Sequence, residues 1–269
     1  MKISHESPLS MLEHSRVYND YDYCLVHLLD EIPQYHEFFV DSLKMGREVI
    51  LDNSIFELGT AFDMNKYAEW VKKLVPTEYI LPDALEDSIS TITNEVKWKT
   101  TYADSIPQQC KSIGVAQGRS YEEIVGCYRY LDEIINVDKL AISFDYSYYQ
   151  KVFPHPNKWV SFALGRVHVL SRMLEEGIIN QSKPHHLLGC SLPIEFLFYR
   201  NGFDWIESVD TSNPIVHGLK NIMYESTGLM TKESTKLVNL INAQPDNISS
   251  DIIDLNIDVF RQIVTGDYE

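Results

Sequence analysis

The sequence predicts an α/β protein, a (β/α)8 TIM-like barrel, on three observations. Short apolar runs rich in Val, Ile, Leu and aromatics alternate with longer segments of helical pattern. The runs are apolar nearly throughout, as in a parallel sheet whose two faces are both covered. The count of seven or eight such units fits a barrel, and no Gly-rich phosphate turn follows the first run to signal an open, doubly wound sheet. At 269 residues with 44% hydrophobic content the chain fills a core. A single barrel takes about 250 residues, so residues 1–269 read as one catalytic domain with helices at the C-terminal end, over 230–269.

Taken in order, the predicted strands are residues 23–29, 48–52, 79–81, 112–116, 140–144, 186–190 and 206–209. The eighth is expected within 216–224, or the barrel is incomplete. Helical patterning covers 64–74, 88–102, 121–134, 160–176, 193–201 and 232–241. Ser120 stands before one of these with Glu123 three residues on, a capping box. Gly and Pro number 12 and 11 and are scattered, so no linker divides the chain.

Charge and cysteines narrow the function. With 23 Lys+Arg against 39 Asp+Glu the net charge is −16, which argues against a protein that coats nucleic acid through phosphate neutralisation. A local basic groove is compatible with that balance, and Lys97, Lys99, Arg119, Arg166 and Lys220 are its candidates. No run approaches the roughly 18 apolar residues of a membrane span. The polar start MKISHESPLSMLEHSR is unlike a signal peptide, so a cytoplasmic location is expected. Cys24, Cys110, Cys127 and Cys190 lie far apart, without zinc spacing, and read as reduced, buried thiols.

In this architecture the ligand site lies beyond the carboxyl ends of the strands. The exits read Asp52-Asn53-Ser54, Pro82-Asp83, Gln117-Gly118, Asp145, Gly189-Cys190-Ser191 and Asp210-Thr211-Ser212. Four carry an Asp, and carboxylates gathered in one place raise the pKa of at least one while another stays ionised as a nucleophile. The competing explanation is that each Asp merely caps the helix that follows. Asp145 with Tyr146, Tyr148 and Tyr149 either lines a sugar site or covers apolar surface. His185-His186 begin a strand at the opposite end and read as structural; His155 reads as a loop residue, and His217 as a polar surface residue or a phosphate contact.

The exits occur in segments that resemble, in chain order, the tRNA-guanine transglycosylases and their relatives, which exchange guanine for a 7-deazaguanine base in nucleic acid. LDNSIFELG (51–59) is similar to the family's D-S-G-G-F-Q segment, with Asp52 at the acidic position, Ser54 nearby and Phe56 aligned with its aromatic. LPDALED (81–87) resembles the strand end carrying the Asp that reads the guanine edge, here Asp83. GVAQGRSYEEI (114–124) resembles G-I-V-Q-G followed by a helix, with Gln117 and Gly118 on the base-binding pair. LLGCSLPIEFLFYRNGFDWIESVDTS (187–212) resembles the strand, M-G-x-G, helix and G-x-D-x-F-D pattern, and brings Gly189 and the nucleophile position, Asp210. The likeness spans residues 45 to 215.

The resemblance implies a pentosyltransferase in which Asp210 attacks the anomeric carbon, Asp52 handles the proton of the departing and incoming purine, and Asp83, Gln117 and Gly118 read the base. Ser54, Phe56, Phe144 and Gly189 complete the binding set, Phe56 stacking on the base or packing in the core. No cofactor or metal is implied. The family's G-G-L/A-V-G-E segment is replaced here by Leu140-Ala141-Ile142-Ser143-Phe144-Asp145, its zinc-binding Cys-x-Cys-x-x-Cys is absent, and Asn213-Pro214-Ile215-Val216-His217-Gly218 stands in place of its Arg-rich stretch. Those elements hold tRNA, so the expected polymer is DNA, as for phage and DNA-modification relatives, met by a local patch or delivered by a partner protein. Two alternatives stand beside this: an N-glycosidase using the same two carboxylates on a nucleoside or nucleotide, and a non-catalytic partner subunit.

Overall fold

The computed structural model describes residues 1–233 and 235–266. The strands are β1 (Lys2–Ser4), β2 (Asp22–Leu25), β3 (Val49–Asp52), β4 (Glu78–Ile80), β5 (Lys111–Val115), β6 (Lys139–Ser143), β7 (His185–Leu188) and β8 (Ile206–Asp210). The helices are α1 (Leu12–Ser15), α2 (Val26–Glu31), α3 (Pro33–Lys44), α4 (Ile55–Leu58), α5 (Met64–Leu74), α6 (Ser88–Thr101), α7 (Tyr121–Arg129), α8 (Ser147–Val152), α9 (Lys158–Glu175), α10 (Asn213–Leu219) and α11 (Asn247–Thr265). All eight strands are parallel and lie in the order β1-β8-β7-β6-β5-β4-β3-β2, a (β/α)8 TIM-like fold.

Two compact units divide the chain: residues 21–143 with 177–186, and residues 1–20 with 144–176 and 187–269. In the first, the register sets Leu25 beside Asp52 across β2 and β3. Val49, Ile50 and Leu51 are buried, so the strand delivers its first polar residue, Asp52, at its carboxyl end. α5 shows how a helix is written to cover such a strand. Asp63 caps it by accepting from the Lys66 N–H at 2.9 Å, and Tyr67, Ala68, Val71 and Leu74 form its buried stripe. The Tyr67 hydroxyl donates to the carbonyls of Leu51 and Ile80, tying β3 to β4 just before both exits.

In the second unit β1 pairs with β8, Ser4 beside Asp210. α10 and α11 pack so closely that a Cβ on Gly218 would stand 2.3 Å from the Ile253 side chain, which requires glycine there. Met11, Ile215, Ile253 and Ile257 form the cluster this contact seals.

Two expectations are corrected. The eighth strand is β1, at the N-terminus; residues 216–224 instead begin inside α10. A three-residue strand carries too little pattern to register, and Ile3 is recognisable only through its complete burial against β8. The helix expected over 232–241 is absent: only Leu237–Leu240 form a 3-10 turn, and the last long helix is α11. The run 23–29 splits at Val26 into strand and helix, since every residue in it is buried and an apolar run reads alike in both.

Candidate active site

Each unit gathers its own strand-exit residues. In the first, Asp83 accepts hydrogen bonds at both carboxyl oxygens, from the Asn53 amide at 2.7 Å and the Gln117 amide at 2.6 Å. Asp83, Asn53 and Gln117 are all buried. Acceptance at both oxygens is the pattern of an ionised carboxylate. The Gln117 carbonyl end is taken by the Glu86 N–H at 2.9 Å, so its amide nitrogen is held toward Asp83. Asn53 also donates to the Leu81 carbonyl and accepts from the Ile55 N–H, which bolts the β3 exit to the β4 exit. Gly118 lets the chain pass under α7: a Cβ would come within 2.7 Å of the Ile124 backbone nitrogen.

Asp52 is half-buried and receives the Tyr23 hydroxyl at 2.6 Å together with the Ser54 N–H. Ser54 adopts a left-handed conformation, φ 61°, that is costly for a residue with a side chain. That turn starts α4, where Phe56 stands 36% exposed, so Phe56 is not a core residue. Beneath the exits, α6 holds the post-β4 loop: the Thr91 hydroxyl bonds both backbone groups of Ala84. One turn on, Glu95 is fully buried with neither oxygen hydrogen-bonded, and burial, with the nearby Asp83 charge, pushes its carboxyl well above the usual range. His27, buried at the β2 exit, likewise has both ring nitrogens without a partner.

In the second unit Asp210 is buried and its Oδ1 accepts from the Gly189 N–H at 3.1 Å. Gly189 has φ 63°, and a Cβ there would lie 2.4 Å from the Phe144 ring. Phe144 thus occupies the space a side chain would need. Over its ring sits Lys232, whose ammonium is 3.6 Å from the ring centroid and donates to the Cys190 carbonyl at 2.5 Å. Burial brings this ammonium down to about 8. The same β7 exit is held from behind by Arg166, which bonds the carbonyls of Leu188 and Gly189 and pairs with Glu195 at 2.5 Å, both side chains fully buried.

None of the four strand-exit Asp residues is a helix cap. The N-cap positions of α4, α8 and α10 are Ser54, Tyr146 and Ser212, none of which caps its helix with a side-chain hydrogen bond, and α6 is capped by Asp87. The capping explanation is therefore set aside. Tyr146 and Tyr149 are buried and Tyr148 partly so. His185 is structural as expected, bonded to Tyr128 and the Lys183 carbonyl. His217 is not a surface residue: it is buried, with Nδ1 on the Asn213 carbonyl. The basic candidates thin out, since Arg166 is buried against Glu195, Lys220 pairs with Glu233, and Lys99 caps the carbonyls of Ile134 and Ile135. All four cysteines are free and buried. Among the described residues no three His, Cys, Asp or Glu are grouped to hold a metal ion, and no helix is long and apolar enough to cross a membrane.

Sequence reasoning passed over Asn53, Tyr23, Glu95, His27 and Lys232. Asn53 was in plain sight between two assigned neighbours. Glu95 stands at a buried position of the α6 stripe, between Thr91 and Trp98, where an apolar residue is the rule. Lys232 carries no local signal. No family model and no curated protein matches the chain.

Proposed function

We propose that this protein is a guanine transglycosylase-like enzyme that exchanges guanine for a 7-deazaguanine derivative in nucleic acid, DNA rather than tRNA. The observation that carries the reading is the Asp83–Gln117 pair: two residues 34 apart in sequence, matched independently to the base-reading motifs, joined at 2.6 Å. Guanine offers two donors, N1–H and the exocyclic amine, beside an acceptor, O6. A carboxylate next to a primary amide answers that edge, acceptor for donors and donor for acceptor. A base entering this edge takes over the bond that Gln117 now gives to Asp83.

The chemistry assigned to the remaining residues follows from exchange without hydrolysis. Asp210 attacks the anomeric carbon as guanine leaves, and the sugar stays bound as an ester until the new base displaces the carboxylate. The Gly189 N–H on Oδ1 orients that carboxylate. Asp52, steadied by Tyr23 and Ser54, gives a proton to the departing base and recovers one from the incoming base. Phe56 supplies an exposed aromatic face for stacking.

The test is incubation with labelled guanine and DNA, tRNA or free nucleosides. Label entering the polymer, lost in Asp210→Ala and Asp52→Ala, is the expected result. Release of free base without incorporation supports the N-glycosidase instead. No reaction with any substrate, and a cellular role untouched by either substitution, supports the non-catalytic subunit.

A further inference from the structure

Lys232 is an unusual residue for its position. It lies in an irregular segment after α10 and is half-buried, with its ammonium set against residues that follow β6 and β7. Burying an ammonium costs free energy unless it is met by acceptors. Here the Cys190 carbonyl accepts at 2.5 Å and the face of Phe144 lies 3.6 Å away, a cation–π contact. The segment is anchored on both sides, by the Asn157 amide on the Met230 carbonyl at 2.5 Å and by the Lys220–Glu233 ion pair.

We propose that Lys232 is the positioning residue for Asp210, acting through Phe144 and Gly189; this rests on Asp210 being the nucleophile. The contacts form a continuous line. The ammonium holds the Phe144 ring from one side, and the ring fills the space beside Gly189 that a Cβ would take. Gly189, kept at φ 63°, directs its N–H to Asp210 Oδ1. The Cys190 carbonyl, next in the chain, is pinned by the same ammonium. A carboxylate attacking an anomeric carbon must be held to a fraction of an ångström, and small displacements cost large factors in rate. Lys232 and Arg166 both hold the β7 exit, Lys232 at the Cys190 carbonyl and Arg166 at the Leu188 and Gly189 carbonyls.

The clamp depends on charge, because a neutral amine loses the attraction to the ring face. The ionisable groups facing Lys232 are Cys190, Asp145, Glu195, Arg166 and His217. Glu195 is already paired with Arg166, and burial keeps the Cys190 thiol protonated. With the ammonium titrating at about 8, the clamp is complete below that pH and released above it.

Two measurements on the full chain test this. The first is the amide resonance of Gly189 in selectively glycine-labelled protein, followed from pH 6.5 to 10. In the wild type it titrates with a midpoint near that of Lys232, and in Lys232→Met it does not. The second is the pH profile of base exchange. Lys232→Met loses about 10- to 100-fold at pH 7 with its melting temperature measured alongside, whereas Lys232→Arg, charged throughout, retains exchange above pH 9 where the wild type has lost it. A Gly189 resonance that ignores Lys232, or an alkaline limb unmoved in Lys232→Arg, overturns the proposal. If the wild type exchanges no base at all, the transglycosylase reading fails, and the Gly189 titration still decides whether Lys232 governs Asp210.

Discussion

Asp83 and Glu95 are two carboxyls of opposite kind on neighbouring elements. Asp83 is satisfied at both oxygens, while Glu95 is buried with neither oxygen partnered. An unpartnered buried polar group carries its full desolvation cost, about 1–3 kcal/mol, so Glu95→Leu is expected to stabilise the protein by about that amount in urea unfolding. A loss of stability instead would mean the carboxyl is satisfied. Arg166 and Glu195 present the converse case, a fully buried ion pair. Removing one partner leaves an uncompensated charge, so Glu195→Ala should cost about 3–5 kcal/mol, while the double change to Met and Leu should recover most of it. Equal losses in single and double variants would contradict the pairing. At this scale the sequence was informative where chemistry is local: Asp52, Asp83, Gln117 and Asp210 could be named from their place after an apolar run. Arg166 could not, because nothing in a helical pattern distinguishes a solvated arginine from one buried against a glutamate 29 residues on.

The strand exits are the elements that make these residues useful, and the β7 exit is the most tightly specified. Any side chain at Gly189 meets both a left-handed backbone and the Phe144 ring. Gly189→Ala should therefore destabilise by about 2 kcal/mol or more and should lower base exchange by turning the N–H away from Asp210. Pairing it with Phe144→Ala should relieve the overlap but not the backbone strain, which thermal melting of the three proteins would resolve. Helices with a cap and a stripe were readable: 64–74 matches α5 residue for residue, and Ser120 accepts the Glu123 N–H as a cap should. The Glu123 carboxylate differs from the capping-box form, accepting from Arg119 instead of Ser120. β1 was unreadable because its meaning lies in its partner, β8, some two hundred residues away in the chain. The expected helix over 232–241 failed for a related reason: Lys232 is drawn to Cys190 and Phe144, contacts that no local pattern encodes.

For the whole molecule the acidic balance and the buried histidines set the response to pH. His5 in one unit and His185 in the other are buried, and desolvation lowers them to about 3 and about 4. Between pH 6.5 and 4 the unfolded chain binds protons that the folded chain refuses, so stability falls as pH falls through that window. Each such proton contributes about 1.4 kcal/mol per pH unit. Urea unfolding at pH 7, 6 and 5 should therefore show a steep loss, lessened in His5→Asn and in His185→Gln. A flat profile would show that these imidazoles charge in the fold. The net charge of −16 also bears on substrate. Of the basic side chains first considered, Lys97, Lys99, Arg119 and Lys220 are exposed, with Lys99 and Lys220 engaged within the chain, so binding of a polynucleotide should depend less steeply on salt than for a protein making many phosphate contacts.

The central claim is that Asp83 and Gln117 read a guanine-type edge. Its most direct measurement is the melting temperature in the presence of guanine, 7-cyano-7-deazaguanine and 7-aminomethyl-7-deazaguanine. A ligand at a hundred times its Kd stabilises the folded state by about 2.7 kcal/mol. The wild type should rise with at least one of the three bases, and Asp83→Ala and Gln117→Leu should remain folded without that rise. No shift of the wild type with any base, or an undiminished shift in both variants, would contradict the account.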